Sequence, residues 1–389
     1  MKRDNFFLIL LLSVLIFLLS AFLPGTEGTT ARAENDDILL AVVYPVEDID
    51  GSTGYWQGIE LAIEEINSKG GIAGKDVEVI KLDDRGSVTE GLTIARSLVA
   101  RGEVTAVIGH WNSRVSVPAA TVYNDAGLIM ITPASTSPQI SAAGHQYIFQ
   151  QVMDDSQIGS EIASFISGAG FQRVAAIYAD DDYGRGLVNS FSRSARDMGL
   201  RMVDRLSVLG SELDVERTVR KWEALDIEIL LVADVLPQAG ITIRRLRESG
   251  LEIPVIGATG LDRIAYLENF AGVAEGSYVT TLFNPHLDYT EVKNFVELYQ
   301  DKYGMMPDSW AAQAYDTVII LQAAIEDAGS SDADSIAVAL RELKDWPGVT
   351  GRLSFNPQGA VTGKEIFFKE VIEGRFHYLS GHSSVKGVD

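Results

Sequence analysis

From Ile38 onward the chain alternates short β-branched and aliphatic runs with longer stretches whose apolar positions recur at helical spacing. Ile38–Val43 reads as a strand, and Gly54–Ser68 as a helix with Ile59, Ile63 and Ile66 on one face. Asp76–Leu82 is a second strand, Val88–Arg101 a second helix and Ala106–Ile108 a third strand. The helix that follows stops at Gly127, a residue suited to the left-handed position past a helix end, and Leu128–Thr132 is a fourth strand. A β-α-β-α order demands a mostly parallel sheet, right-handed crossovers and helices on both faces.

The order then restarts. Helices are expected at Asp155–Ala169, Tyr183–Met198, Leu213–Leu225 and Pro237–Ser249, alternating with strands at Arg173–Tyr178, Arg201–Val208, Glu228–Val232 and Pro254–Gly257. The fold class expected is α/β, with two doubly wound parallel-sheet lobes. A length of 389 residues suits two such lobes. No Pro/Ser-rich linker separates them, so ordered crossings are expected near Gln151–Asp155 and Thr281–Pro285. Long helices at Tyr289–Tyr303, Ser309–Ala328 and Asp332–Leu343 should pack back on the first lobe. Short strands follow at Gly351–Phe355, Ile366–Ile372 and Arg375–Leu379.

Two loops carry chemistry. In AVIGHWNSRVSVPAATVYNDAGLIMITPASTSP, from Ala106 to Pro138, Asn112-Ser113 follows one strand and Ser135-Thr136-Ser137 follows the next. A parallel sheet brings both clusters to one edge, where hydroxyls and free backbone N–H groups make a site for a carboxylate. Helix capping is the plainer use of Ser113 and Ser116, and Pro118 favours Ser116 as the cap, with Ser113 in the loop. Tyr183-Gly184-Arg185-Gly186, after Asp180-Asp181-Asp182, places an aromatic at a helix start, where it can close over a ligand or simply make a surface turn. Asp234 ends an apolar strand at the edge where open α/β sheets bind ligands, and Asp154-Asp155 lies at a lobe crossing. Each of these carboxylates either meets a ligand ammonium or caps a helix.

Conversion of the solute is not expected. Gly70–Lys75 lacks the spacing and the Ser/Thr of a phosphate loop, and is read as a helix stop. The five histidines show no metal spacing; His110 abuts the first loop and is a candidate pocket wall. No G-x-S-x-G elbow or nucleophile–base pair is present. No catalytic residue, metal or cofactor is therefore expected. A formal net charge of −22 argues against nucleic acid as a partner. The absence of cysteine excludes disulfides, Cys-ligated zinc and a lipid-modified Cys.

Lys2 and Arg3 precede an apolar run from Phe6 to Leu23, and Ala31-Arg32-Ala33 supplies a cleavage pattern, so residues 1–33 read as a signal peptide, with an uncleaved anchor as the alternative. Cleavage would remove Lys2, Arg3 and Arg32 with Asp4 and Glu27, leaving about −23. The expected product is exported and periplasmic.

Four segments in order, GIELAIEEINSKGGIAGKDVEVIKLDD, the Ala106–Pro138 stretch, DDYGRGL and AAQAYDTVIILQAAI, resemble the periplasmic solute-binding proteins of branched-chain amino acid ABC transporters, with the type I Venus-flytrap fold. The likeness spans about residues 36–375. It implies lobes of residues 36–153 with 284–360 and 154–283 with 361–389, a monomer, and membrane permease subunits as partners. It implies that Ser113 and Thr136 hold a ligand carboxylate, that Ala134 and Ser135 belong to the same loop, and that Tyr183 closes from the second lobe. Two positions depart from the leucine-type pattern: the acidic ammonium partner falls on Thr259, and a second-lobe Tyr falls on Val235. A first-lobe aromatic has no clean match, with Tyr55 and Trp56 a few residues later. A buried ammonium without a carboxylate is costly. Either Asp234 or Asp154/Asp155 takes over, or the solute is not an α-amino acid. In the latter case Arg114, beside Ser113, would clamp an aromatic or aliphatic acid, Asn112 being a further candidate in the same loop, and amide, urea or sensory ligands also occur on this fold.

Overall fold

The structure, a computed structural model, describes residues 38–207 and 209–379. The proposed signal segment and Val208 lie outside the described residues. The first sheet is built from β1 (Ile38–Tyr44), β2 (Val77–Asp83), β3 (Ala106–Gly109), β4 (Ile129–Thr132) and β5 (Ile148–Gln150), in the spatial order β2-β1-β3-β4-β5. Every pairing in it is parallel. Its connecting helices are α1 (Tyr55–Ser68), α2 (Val88–Arg101) and α3 (Ser113–Asp125). The second sheet follows α4 (Asp155–Gly168). Its parallel part comprises β6 (Arg173–Tyr178), β7 (Arg201–Leu206), β8 (Ile229–Ala233), β9 (Val255–Gly257) and β10 (Ser277–Thr281). These are linked by α5 (Asp182–Asp197), α6 (Glu212–Ala224), α7 (Gln238–Glu248) and α8 (Ile264–Ala274). Both lobes belong to one compact unit.

Continuous apolar strands are explained by burial on both faces. Strand β1 sends Ile38, Leu40, Val42 and Tyr44 into one core and Leu39, Ala41 and Val43 into another. Strand β8 does the same in the second lobe, with Ile229, Leu231 and Ala233 on one side and Leu230 and Val232 on the other.

The chain then returns to the first lobe through α9 (Thr290–Tyr303), α10 (Ser309–Ala328) and α11 (Ala333–Glu342). Phe295, Trp310, Leu321 and Leu340 join the core of the first sheet, as their apolar spacing leads one to expect. A small antiparallel sheet of β11 (Trp346–Gly348), β12 (Gly351–Phe355) and β13 (Val361–Lys364) follows. Finally β14 (Phe367–Ile372) and β15 (Arg375–Tyr378) add antiparallel strands to the edge of the second sheet beyond β10.

Three local readings change. Helix α3 starts at Ser113, not after Ser116, and Pro118 lies inside it. The Ser116 hydroxyl is drawn instead to the His110 carbonyl, 3.1 Å away, so it does not cap the helix. Strands β5 and β10 are short and carry polar residues that interrupt the apolar pattern, so periodicity does not announce them. In β10, Thr280 and Thr281 are fully buried, and the Thr281 hydroxyl donates to the Phe283 carbonyl at 3.3 Å.

Helices α1 and α10 approach closely at Gly58, where an added Cβ would stand 2.2 Å from the Ala311 carbonyl oxygen. Alanine is ordinarily better than glycine in a helix by about 1 kcal/mol. Here the backbone contact outweighs that gain, and Gly58→Ala should lose about 1–3 kcal/mol net. Urea unfolding should show a lower midpoint at unchanged slope. Gly272→Ala in α8, where nothing stands within 4 Å of the new methyl, is the control and should not destabilise.

Candidate functional site

The order β2-β1-β3 reverses chain direction across the first sheet, and a crevice opens at the carboxyl ends of β1 and β3. The second sheet reverses between β6 and β8. Loops from both edges line a small cleft of about 50 Å³. The first lobe contributes Trp111, Asn112, Ser113, Arg114, Ala134, Thr136 and Trp310. From the second lobe come Asp181, Tyr183, Val235, Thr259, Gly260 and Arg263.

The two hydroxyl clusters meet as the sequence suggests. Ser113 opens α3 and is buried, and its Oγ accepts the Ser137 N–H at 3.2 Å. The Val115 N–H already donates to the Asn112 carbonyl at 2.9 Å, whereas the N–H groups of Ser113 and Arg114, the first two of the helix, have no intrahelical acceptor and suit an anion. Ala134 and Thr136 lie opposite on the β4 loop.

A buried polar knot holds both loops. The His110 carbonyl accepts from the Ser116 and Thr132 hydroxyls at 3.1 and 2.9 Å, and the Ser135 hydroxyl donates to the Trp111 carbonyl at 2.9 Å. Gln150 Nε2 donates to the carbonyls of Ser135 and Ser137 at 2.8 and 3.1 Å. The His110 ring is locked beneath, with Nδ1 2.7 Å from Asp84 Oδ2 and Nε2 3.2 Å from the Tyr123 hydroxyl. His110 is therefore a fully buried support and not a pocket wall. Ser135 likewise spends its hydroxyl on the scaffold.

The lobe crossing supplies the charge. Asp154 caps α4, accepting the N–H groups of Ser156 and Gln157 at 2.8 and 3.0 Å. Asp155 does not cap. Its backbone N–H donates to the Thr136 carbonyl at 2.8 Å, its side chain is fully buried, and neither carboxylate oxygen meets a donor at hydrogen-bonding geometry. Burial holds its carboxyl well above the usual range; the nearby Thr136 hydroxyl opposes this, and Asp154 and Asp181 add to it. Gly186 leaves room for the carboxylate, since a Cβ there would lie 2.8 Å from Asp155 Oδ2. The Tyr183 hydroxyl is also buried without a hydrogen-bond partner. Burial, with Asp155 beside it, raises that phenol's pKa, while Gly260 and Thr259 pull the other way.

The remaining candidates divide. Thr259 is buried in a turn of 3₁₀ helix, and Val235 is half-buried in the cleft wall. Asp234 uses Oδ1 on the Val235 N–H at 2.7 Å, and burial pushes its carboxyl up to about 6. Neither Asp234 nor Asp155 lines the cleft directly; Asp155 lies beside Thr136 and Tyr183, which do. Asn112 Oδ1 is buried without a partner, while Arg114 sits exposed at the rim with Nε donating to the Gly86 carbonyl at 3.1 Å. Trp56 points elsewhere, with Lys81 Nζ 4.2 Å over its ring. Besides Tyr183, the cleft aromatics are Trp111 and Trp310, 4.4 Å apart, with Tyr55 packed behind Trp111 at 5.2 Å. Sequence reading missed Trp310, Gly260 and Arg263, and named Asp181 only within an acidic run. Trp111 and Asp181 stood inside stretches already singled out, whereas Trp310 and Arg263 lie outside them.

Residues 45–375 match the family model described as periplasmic binding protein. An amino acid binding protein of Pseudomonas aeruginosa is 29% identical over 351 residues, covering 88% of this chain and 92% of that protein. Leu/Ile/Val-binding protein homolog 1 of Brucella abortus is 27% identical over 350 residues, with 88% and 93% covered. Among solved structures, an ABC transporter substrate-binding protein from Desulfitobacterium hafniense in complex with Leu is 35% identical at a TM-score of 0.81, covering 88% of this chain and 100% of that chain. The two-lobed α/β architecture expected from the resemblance is the one observed. With the match running from the end of β1 to β15, this chain belongs to the periplasmic binding protein family, whose extracytoplasmic members bind solutes and are not enzymes.

Proposed function

We propose that this protein is the periplasmic solute-binding component of an ABC importer, and that its solute is a small neutral α-amino acid. The observation that carries the amino-acid reading is Asp155, a fully buried carboxyl beside the neutral Thr136 hydroxyl and Tyr183, with no ion-pair partner among the described residues. Such a group is costly in the empty protein and is relieved by an ammonium. Ser113, Thr136 and the first turn of α3 complement the carboxylate at the other end of the same molecule. Asp155 thus replaces the acidic residue that Thr259 lacks. The names of relatives support the reading: the D. hafniense protein holds Leu, and the P. aeruginosa protein is an amino acid binder.

The ligand touches both lobes only when the cleft is closed, so its binding free energy favours that state. Among the described residues the moving bodies are 38–153 with 284–364 and 154–283 with 365–379, since β13 pairs with β12 and Val361 packs in the first core. The protein acts as a monomer, and its closed form is presented to membrane permease subunits. Among the described residues no helix is long and apolar enough to cross a membrane.

Ser113→Ala with Thr136→Ala should weaken amino-acid binding by at least about 100-fold, since each hydrogen bond to a charged group contributes about 1.5–3 kcal/mol. Calorimetric titration and circular dichroism would read affinity and fold separately, and unchanged affinity would sink the carboxylate assignment. A thermal-shift panel pairing each amino acid with its deaminated acid tests the ammonium end. Stabilisation by the acids alone would replace the amino-acid reading with the aromatic or aliphatic acid one.

Asp155 links binding and stability to pH. In the empty protein its carboxyl stays protonated above the usual carboxylate range. An ammonium requires it ionised, so binding releases a proton and affinity rises with pH until that raised value is passed. Titration in buffers of different ionisation enthalpy reads the proton directly. In folding the sign is opposite: a raised carboxyl costs stability as pH climbs above its unfolded value of about 3.9. Asp155→Asn should therefore raise the melting temperature of the unliganded protein at pH 7, and by less at pH 4. The same variant should lose at least about 30-fold in amino-acid affinity, because it removes one partner of a buried charge pair.

A further inference from the structure

A second, larger cavity of about 340 Å³ lies between the lobes behind the cleft. Its walls include Ser52, Gly54 and Asp308 from the first lobe and Asp262, Lys369 and Tyr378 from the second. Arg263 lines both spaces, and no other described residue does. We propose that Arg263 is the partition between them, and that it sets the greatest side-chain length the ligand can have.

The ends of an amino acid fix its direction. With the carboxylate at Ser113 and Thr136 and the ammonium at Asp155, the side chain is left to run toward Trp111, Trp310 and Arg263. The cleft in front of Arg263 is small. A water needs about 10–15 Å³ of such space, so a whole cleft of about 50 Å³, the positions of the ligand's charged ends included, favours a short side chain. The space on the other side of Arg263 is several times larger and opens to solvent past Met305 and Met306.

Arg263 is held in place by the opposite lobe. Its guanidinium Nη2 donates to the Ser52 hydroxyl and the Asp48 carbonyl, both in the segment between β1 and α1. The side chain is only 9% exposed, and its Nε is buried without a partner. Trp310 reinforces the same seam, donating from Nε1 to the Asp262 carbonyl at 2.8 Å. A longer ligand would have to push the guanidinium off both acceptors and leave a buried cation with nothing to bond, a costly exchange. The same displacement would break contacts that join the closed lobes. Length is therefore selected at the closure step: a side chain that stops short of Arg263 leaves the seam intact, and one that overruns it holds the lobes apart.

This inference rests on the amino-acid reading. It is tested by titrating wild type, Arg263→Ala and Arg263→Lys with L-alanine, L-norvaline, L-norleucine and L-2-aminooctanoate. Wild type should bind L-2-aminooctanoate at least about tenfold more weakly than its best shorter ligand, the scale on which pockets discriminate by length. Arg263→Ala should raise the ratio of L-2-aminooctanoate to L-alanine affinity by at least about tenfold, and Arg263→Lys should keep the wild-type order. Melting curves establish that each variant is folded. A uniform loss of affinity in Arg263→Ala, with the order unchanged, would make Arg263 a structural latch and overturn the proposal. Wild-type binding of L-2-aminooctanoate as tight as that of the shorter ligands would also overturn it. Failure of every amino acid to bind wild type would instead remove the amino-acid reading beneath it, whereas wild-type binding of L-alanine with an unaltered order in the variant removes the partition alone.

Discussion

In both sheets the strands that carry cleft residues run parallel, so their carboxyl ends share an edge. The cleft depends on that constraint. It brings the loops after β3 and β4 together in one lobe and those after β6, β8 and β9 together in the other. Crossing helices occupy the sheet faces, which leaves the edge free for loops. The strand interiors are apolar on both sides, so the loops are the first positions along each strand where polar groups can stand without loss of core.

At that edge the polar groups fall into two kinds. The hydroxyls of Ser116, Thr132 and Ser135 and the Nε2 of Gln150 are satisfied by carbonyls of the same loops and make them rigid, although Gln150 Oε1 is not. His110, clasped by Asp84 and Tyr123, serves the same end from below. Asp155, the Tyr183 hydroxyl and Asn112 Oδ1 are left without partners although buried. Folding ordinarily pairs such groups. The satisfied set fixes the geometry, and the unsatisfied set holds an electrostatic demand that a zwitterion meets. Stability and binding therefore oppose each other at Asp155, a tension common where a site is preorganised.

Much of this was legible along the chain. The alternation from Ile38 dictated two parallel lobes, because apolar runs of strand length between amphipathic helices have few other ways to bury both faces. Ser113 and Thr136 were legible because each directly follows a strand, and strand order alone puts them at one edge. Asp155 was visible as a helix start at a lobe crossing, but not distinguishable from its neighbour. Asp154 takes the cap and Asp155 turns inward, a difference of one position that only the backbone geometry of α4 decides.

The chain by itself determined the fold class, the position of the cleft and the carboxylate loops, because periodicity and strand-end placement are local properties. Tertiary structure decided the rest. Trp310 and Arg263 arrive from elements far from the first loops, through a return of the chain across the lobes. Trp56 and His110, which their sequence positions recommend, are turned away by packing on α1 and beneath β3. Burial without a partner, which singles out Asp155, and a side chain shared by two cavities, which singles out Arg263, are relations among distant residues. They exist only once both lobes have met.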